Sequence, residues 1–474
     1  MRLEAPGRPH LTYCTNIHPG ETWAEVRRNL EAYVVPTARR VAGGRPFGVG
    51  LRLSGVAAAE LARADELDRL RDFLAAHDLY VFTINGFPYG PFHGTPVKEQ
   101  VYLPDWLDPE RIAYTNRLAD LLAALLPDGV DGTISTVPGA FAPRVSGDDV
   151  AARIAAAIAT HAAHLHALRE GTGKRIALAI EPEPWCHLET TAQAVDFFER
   201  HLFGPPGIDA LARATGLAPR DAESVLREHV GICLDTCHMA VEFEDPAAAL
   251  DRLDRAGIRV AKVQISAGLR IGFAGDDVAD KLARLRAFAD DVYLHQVVER
   301  TADGRLARYL DLLDALRAAE AWADAVVPSS TADASAAAST PGAGTTNAAG
   351  DGVTAGNVTA GNVATGPVAA ATSPGALASA AAALPREWRV HFHVPLFRER
   401  YGPFEGTQPF IRELLGLLRD RPRCDHFEVE TYTWSVLPDE FRGDDIVAAV
   451  ARELEWAAAV LMGEAAPTVA ASSE

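Results

Sequence analysis

The chain has 474 residues, 48% hydrophobic and 23% charged, which is enough for one large α/β domain or two to three ordinary ones. Its 45 basic and 64 acidic residues give a formal net charge of −19, which repels phosphate backbones and anionic membrane surfaces and argues against nucleic acid as a partner. No run approaches the ~20 consecutive apolar residues of a membrane span, and MRLEAPGRPH lacks the apolar core of a signal peptide. The cysteines (Cys14, Cys186, Cys233, Cys237, Cys424) are scattered without a CxxC. The reading is a cytoplasmic protein with reduced thiols and no direct membrane insertion.

In chain order, β-type runs are predicted at Leu11–Ile17, Phe47–Ser54, Tyr80–Asn85, Gly132–Val137, Ile176–Glu181, Val230–Asp235, Val260–Ser266 and Phe427–Tyr432. Segments with helical apolar spacing lie between them. Ser54-Gly55 precedes a helix running to His77, and Gly443-Asp444 precedes the last one. Asp108-Pro109 and Asp245-Pro246 each place an Asp N-cap before a proline at N1. Ser146 to Asp149 has the form of a capping box. Alternating strands and helices of this number predict an α/β fold, a closed (β/α)8 TIM barrel. A doubly wound open sheet is the alternative, weakened by the lack of a GxGxxG after the first strand.

Two runs, Tyr293–Glu299 and Val390–Phe397, fall outside the repeat and are placed in a long excursion between strands seven and eight. Ser329 to Ala383 holds no Lys, Arg, Glu or aromatic residue and stutters over Val353–Gly366, so a disordered insert is predicted there. The expected organisation is strands one to seven over 1–328, the insert at 329–383, barrel completion over 384–463 and a flexible tail at 464–474.

Side chains at the C-terminal ends of barrel strands converge on one mouth. Strand five ends in Glu181, strand six in Asp235 with His238 three residues on, strand seven carries Gln264, and strand eight carries Glu428 and Glu430. Strand one leads to His18 and strand three ends in Asn85. Burying several carboxylates at facing strand ends without compensation costs several kcal/mol each. One divalent cation offsets this, Mn²⁺ or Mg²⁺ first and Zn²⁺ or Co²⁺ second. Neutralisation by Lys262 or Arg52, also on barrel strands, is the competing explanation.

The motifs IALAIEPEP, LDTCHMA, VAKVQIS and FEVETYTW resemble the second half of the xylose-isomerase-like barrel superfamily, the sugar phosphate isomerase/epimerase group. That resemblance implies one divalent metal held by Glu181, Asp235 and Glu430, with His238 near metal and substrate. Where the family has a histidine on strand seven, this chain has Gln264, whose amide oxygen is a weaker ligand for a transition metal. His391 and His393, two apart and therefore on one face of an extended segment, are candidates to complete the site, with a lean to His393.

Longer motifs, Thr12–Trp23, Phe47–Ser54, Thr83–Gly94, Val97–Trp106 and Glu428–Trp434, resemble a narrower group, the bacterial metabolite traffic proteins of the EboE type. This implies a role beside a membrane prenyltransferase, with membrane-associated pathway proteins as further partners. Chemically, the metal would hold two oxygens of a hydroxy-carbonyl substrate and stabilise an enediolate. Glu181 and Glu430 would be the acid/base pair, Asp235 mainly a ligand, and His238 a ligand or hydrogen-bond donor.

Asn16, His18, Asn85, Tyr89 and His93, with Phe87 and Phe92 as apolar walls, read as a recognition surface for a small hydroxylated metabolite. Cys233 and Cys237 read as core. The leading expectation is an isomerase or epimerase-like protein. A non-catalytic carrier is the second class. A barrel endonuclease is the third, opposed by the net charge.

Overall fold

The computed structural model describes residues 1–91, 93–94, 96–273, 277–326, 385–442 and 445–467. The expected insert at 329–383, Phe92 and the Gly443-Asp444 helix start lie outside the described residues. Seven parallel strands come first: β1 (His10–Tyr13), β2 (Phe47–Arg52), β3 (Leu79–Asn85), β4 (Gly132–Thr136), β5 (Ile176–Ile180), β6 (Val230–Asp235) and β7 (Val260–Ile265). After an excursion, β14 (His426–Val429) takes the eighth place. Among the described residues these strands run in the order β1-β14-β7-β6-β5-β4-β3-β2, each beside its sequence neighbour, with helices between them. This is a (β/α)8 TIM barrel.

The strands are buried on both faces, which is why runs such as Ile176–Ile180 are continuously apolar instead of alternating. The seam between β1 and β2 is closed partly by a side chain. Cys14 bridges Gly50, while the Thr12 hydroxyl donates to Gly48 O at 2.7 Å and accepts from Gly50 N at 3.0 Å. A Cβ on Gly50 would collide with the Glu428 carboxylate and lie 2.6 Å from Tyr13 O, so this position takes only glycine.

Several local expectations change. Strand one stops at Tyr13, and Thr15–Ile17 coils into a 3-10 turn. The helix expected to reach His77 is split into Gly55–Leu61 and Ala64–Ala76, because Arg63 adopts extended backbone at φ −69°, ψ 131°. The Asp245 side chain caps its helix through Ala248 N. Asp108 sits at an N-cap, but its carboxylate accepts from Asp105 N at 3.2 Å instead of from the helix. At Ser146–Asp149 the cap residue is Gly147, with no side-chain cap bond. The last helix, Ile446–Met462, is capped by Asp445 through Val447 N.

The excursion is a second sheet. It holds β8 (Ala267–Gly272), β9 (Val297–Thr301), β10 (Leu306–Tyr309), β11 (Pro385–Val394), β12 (Arg400–Tyr401) and β13 (Phe404–Gly406), antiparallel in the order β10-β9-β11-β8-β13-β12. It begins only one residue after β7, since VAKVQISAGLRIG is a single β-type run turned at Ser266. The register of β11 shifts between Val390 and Val394, so His391, Phe392 and His393 lie in an irregular stretch of the strand. All five cysteines are free, and among the described residues no helix is long and apolar enough to cross a membrane.

Candidate metal centre

Glu181 follows β5, Asp235 ends β6 and Glu430 follows β14, so barrel topology alone turns all three carboxylates into the same mouth. One oxygen from each lies within 4.8 Å of the others, and the residues are only 2%, 1% and 5% exposed. Among the described residues, Glu181 Oε2 and Asp235 Oδ2 have no hydrogen-bond partner. The other Asp235 oxygen accepts from His238 N at 2.9 Å and Ser266 Oγ at 2.7 Å. Glu430 is held by three amides: Asn16 Nδ2 at 2.6 Å and Asn85 Nδ2 at 2.9 Å on Oε1, and Gln264 Nε2 on Oε2.

The competing cations are engaged elsewhere. Lys262 Nζ is 2.5 Å from Glu428 Oε2, and Arg52 pairs with Glu21 at 3.0 Å while donating to Gly20, Pro88 and Gly90 carbonyls. Among the described residues the only ion-pair partner of the three acids is His238, 3.9 Å from Glu181 and 3.8 Å from Asp235. Burial, then the neighbouring Glu430 and Asp235 charges, push Glu181 well above the usual carboxylate range. Burial followed by Asp235 raises Glu430 to about 8, and burial raises Asp235. The mouth therefore crowds three acids together with no Lys or Arg between them among the described residues, and burial makes each hold its proton more tightly.

Three imidazoles face this cluster. His393 Nδ1 is 2.6 Å from Glu430 O, a pure acceptor, so the proton sits on Nδ1 and the Nε2 lone pair is free. That Nε2 has no hydrogen-bond partner among the described residues, and His393 offers a ligand atom within 4.8 Å of Asp235 and His238. His238 Nδ1 is 3.0 Å from Pro182 O and His391 Nδ1 is 2.7 Å from Gln296 Oε1. Burial lowers His238 to about 3 and His393 to about 4, so both rings are neutral near pH 7. Orphaned carboxylate oxygens beside a neutral imidazole lone pair fit a divalent cation.

Gln264 differs from the expectation. Its nitrogen donates to Glu430 and its oxygen accepts from Cys233 Sγ at 2.7 Å, so the amide oxygen is directed away from the acids and the side chain positions Glu430. Cys237 offers a ligand atom within 4.8 Å of His391 and His393, but burial pushes its thiol well up and keeps it protonated.

A cavity of about 60 Å³ opens above the centre, lined by Asn16, Asn85, Phe87, Tyr102, Glu181, Glu183, His238, Gln296, His391, His393, Glu430 and Tyr432 among others. Arg111, fully buried, shapes its β3 rim by donating to Gly86 O at 2.6 Å and Phe87 O at 3.1 Å. Three expected recognition residues do not line this cavity. His18 stacks on Tyr33 at 4.2 Å with Nε2 3.0 Å from Tyr13 OH. Tyr89 turns outward and donates to Glu110 at 3.0 Å. His93 ties loops together, 2.5 Å from Asn16 O and 3.0 Å from Tyr293 OH.

Glu183, Tyr102 and Gln296 line the cavity in addition to the residues expected from sequence. Glu183 lies two residues past Glu181 in the EPEP motif, spacing that was a usable signal. Tyr102 donates to Glu183 Oε1 at 3.0 Å, and Gln296 Nε2 donates to Tyr102 OH at 2.9 Å.

Fold and site together define a TIM barrel with a candidate divalent-metal centre at its mouth. No protein-family model and no curated protein matches the chain. Among solved structures it is similar to an L-ribulose 3-epimerase, at 19% identity over 60% of this chain and 80% of that one, with a TM-score of 0.33. It is similar to the IolI protein with a bound zinc atom, at 17% identity over 60% and 87% of the two chains, with a TM-score of 0.32. It is also similar to a xylose-isomerase-like TIM-barrel protein from Mycobacterium smegmatis in complex with magnesium, at 12% identity over 97% of each chain, with a TM-score of 0.45. At these identities the likeness concerns fold alone.

Proposed function

We propose that the chain is a xylose-isomerase-like, divalent-metal-dependent isomerase or epimerase acting on a small hydroxylated carbonyl metabolite. The observation that carries this is the meeting of Glu181, Asp235 and Glu430 within 4.8 Å, unneutralised by Lys or Arg among the described residues. A bound divalent ion supplies Lewis-acid polarisation of a carbonyl and lowers the cost of the charge that develops when the adjacent carbon loses its proton. Glu181, Asp235 and Glu430 would hold it, with the His393 Nε2 lone pair in the place of the missing strand-seven histidine.

The chain's own residues then have separate tasks. Glu181, which lines the mouth and whose proton affinity is raised by burial and the neighbouring carboxylates, would take or return the proton. Glu430, fixed by Asn16, Asn85 and Gln264, presents a carboxylate of set orientation. Phe87 gives the cavity an apolar wall. The motifs that resemble EboE-type proteins support a place in metabolite traffic in the cytoplasm, beside membrane-associated pathway proteins. The charge of −19 supports the absence of nucleic acid among its partners and opposes an endonuclease reading.

Glu430 also favours a second reading, a carrier that binds without turnover, because three amide donors tie up the carboxylate that epimerisation would need as its second base. Solvent-deuterium exchange separates the two. With Mn²⁺ present, wild type incorporates deuterium into a panel of small hydroxy-carbonyl compounds, and Glu181→Gln loses roughly 10²–10⁴-fold. Binding of a compound without any exchange in wild type would establish the carrier instead.

A further inference from the structure

Beside the carboxylate centre lies a second donor set of different chemistry. One ligand atom from each of Glu183, His238 and His391 lies within 4.8 Å of the others, and the three residues are 5%, 4% and 4% exposed. The proton positions on these side chains follow from their partners. His238 Nδ1 faces a backbone carbonyl, Pro182 O at 3.0 Å, so it carries the hydrogen. Gln296 spends its amide nitrogen on Tyr102 OH at 2.9 Å and Pro184 O at 3.3 Å, which fixes Gln296 Oε1 as an acceptor. His391 Nδ1, 2.7 Å from that oxygen, therefore carries a hydrogen as well.

Both rings are left with bare Nε2 lone pairs, and these two nitrogens face each other at 3.1 Å. No hydrogen remains to place between them, and two buried acceptors at that separation repel. The separation is instead close to the ~3.3 Å between two nitrogens bound tetrahedrally at ~2.0–2.1 Å to one Zn²⁺. The third donor is prepared in the same manner. Tyr102 OH donates to Glu183 Oε1 at 3.0 Å, while Glu183 Oε2 is buried without a partner. Each residue thus has one atom anchored by a hydrogen bond and a second atom available as a ligand, with Glu183 Oε1 3.9 Å from His391 Nδ1; anchoring of this kind is how proteins orient metal ligands.

We propose that Glu183, His238 and His391 form a second cation site for a borderline transition ion such as Zn²⁺, next to the oxygen-rich centre of Glu181, Asp235 and Glu430. This deepens the isomerase reading by making the mouth a two-ion site, but it requires no turnover. His238 belongs to the nitrogen-rich site and His393 completes the oxygen-rich one. The two sites differ in ion preference: two imidazoles and one carboxylate select Zn²⁺ or Fe²⁺, whereas three carboxylates with one imidazole accept Mn²⁺ or Mg²⁺.

The test uses the full chain, stripped with chelator, loaded with Zn²⁺ alone, desalted and measured for metal by mass spectrometry. Wild type should retain two equivalents. His391→Gln and, independently, Glu183→Gln should each retain one, as should Glu430→Gln, with folding checked by circular dichroism. Loading with Co²⁺ gives a second readout: visible absorption of a tetrahedral nitrogen site should vanish in His391→Gln and Glu183→Gln and persist in Glu430→Gln. One equivalent in wild type, lost in Glu430→Gln but kept in both His391→Gln and Glu183→Gln, would overturn the second site and leave the isomerase reading standing. One equivalent lost in His391→Gln and Glu183→Gln but kept in Glu430→Gln would support the second site and overturn the carboxylate centre. No retained metal would overturn both.

Discussion

Lys262 on β7 pairs with Glu428 on the adjacent strand β14, Nζ to Oε2 at 2.5 Å, with both side chains fully buried. Two residues further along the chain, Glu430 has no such partner. One carboxylate serves the architecture and the other is kept for the mouth. Lys262→Met, which strands Glu428 as an unpaired buried charge, should cost about 3–5 kcal/mol in urea unfolding, and the double variant with Glu428→Leu should recover part of that loss. Equal loss in the single and double variants would argue that the pair is not the source of the stability.

The closing seam should be intolerant of even one methyl group. Gly50→Ala drives a Cβ into Glu428 and against Tyr13 O, so a loss of about 1–3 kcal/mol or more is expected, read as a fall in Tm. Gly43→Ala, at a position with open space around it but a positive φ of 56°, is the control for backbone strain without collision.

Gln264 would act on a bound metal through Glu430. Replacing it with leucine frees the Glu430 carboxylate to swing and should weaken Mn²⁺ binding by about 10–100-fold, measured by the free-ion paramagnetic resonance signal during titration. Gln264→His tests the same position with the residue the resembling family carries there. It loses the amide grip on Glu430 but offers a further nitrogen, so it should bind Mn²⁺ more tightly than the leucine variant.

Stability of the chelated protein should fall as pH rises from about 6.5 to 8. Burial first, then Asp235, holds Glu430 at about 8, above an unfolded carboxylate near 4.5, so the folded state binds the extra proton and loses that advantage on the way up. Glu183, also raised by burial to about 8, adds in the same direction. His238 and His393, lowered to about 3 and 4, oppose this only below the unfolded histidine value of about 6.5. Glu430→Gln should flatten the slope above pH 6.5 by about 1–2 kcal/mol in total, measured by urea unfolding in chelator. An unchanged slope would remove Glu430 from this account.

The barrel and its three converging acids were legible because strand order and strand-end position are one-dimensional facts: Glu181 and Asp235 close their β-type runs, and Glu430 lies two residues before the end of the run Phe427–Tyr432. Direction of a side chain is not one-dimensional. Tyr89 and His18 looked like mouth residues, but Glu110 and Tyr33 offered nearer partners. Gln264 was placed correctly on its strand, yet which end of the amide faces the acids is decided by Cys233 and Glu430 in three dimensions. The second sheet was read only as an excursion because β8 follows β7 after one residue, while its central strand β11 is separated from β9 by the Ala-rich segment.

His391 and His393 ride on β11, outside the barrel sheet, whereas Glu181, Asp235 and Glu430 come from barrel strand ends. Two of the three imidazoles therefore come from the accessory sheet, while His238 and the carboxylates come from the barrel. A sibling lacking the accessory sheet would keep a hard-ion cup of oxygens, and one bearing a different graft would acquire another taste in metals with no change to the scaffold beneath. Under the proposed two-ion reading, the add-on would supply much of the ion preference.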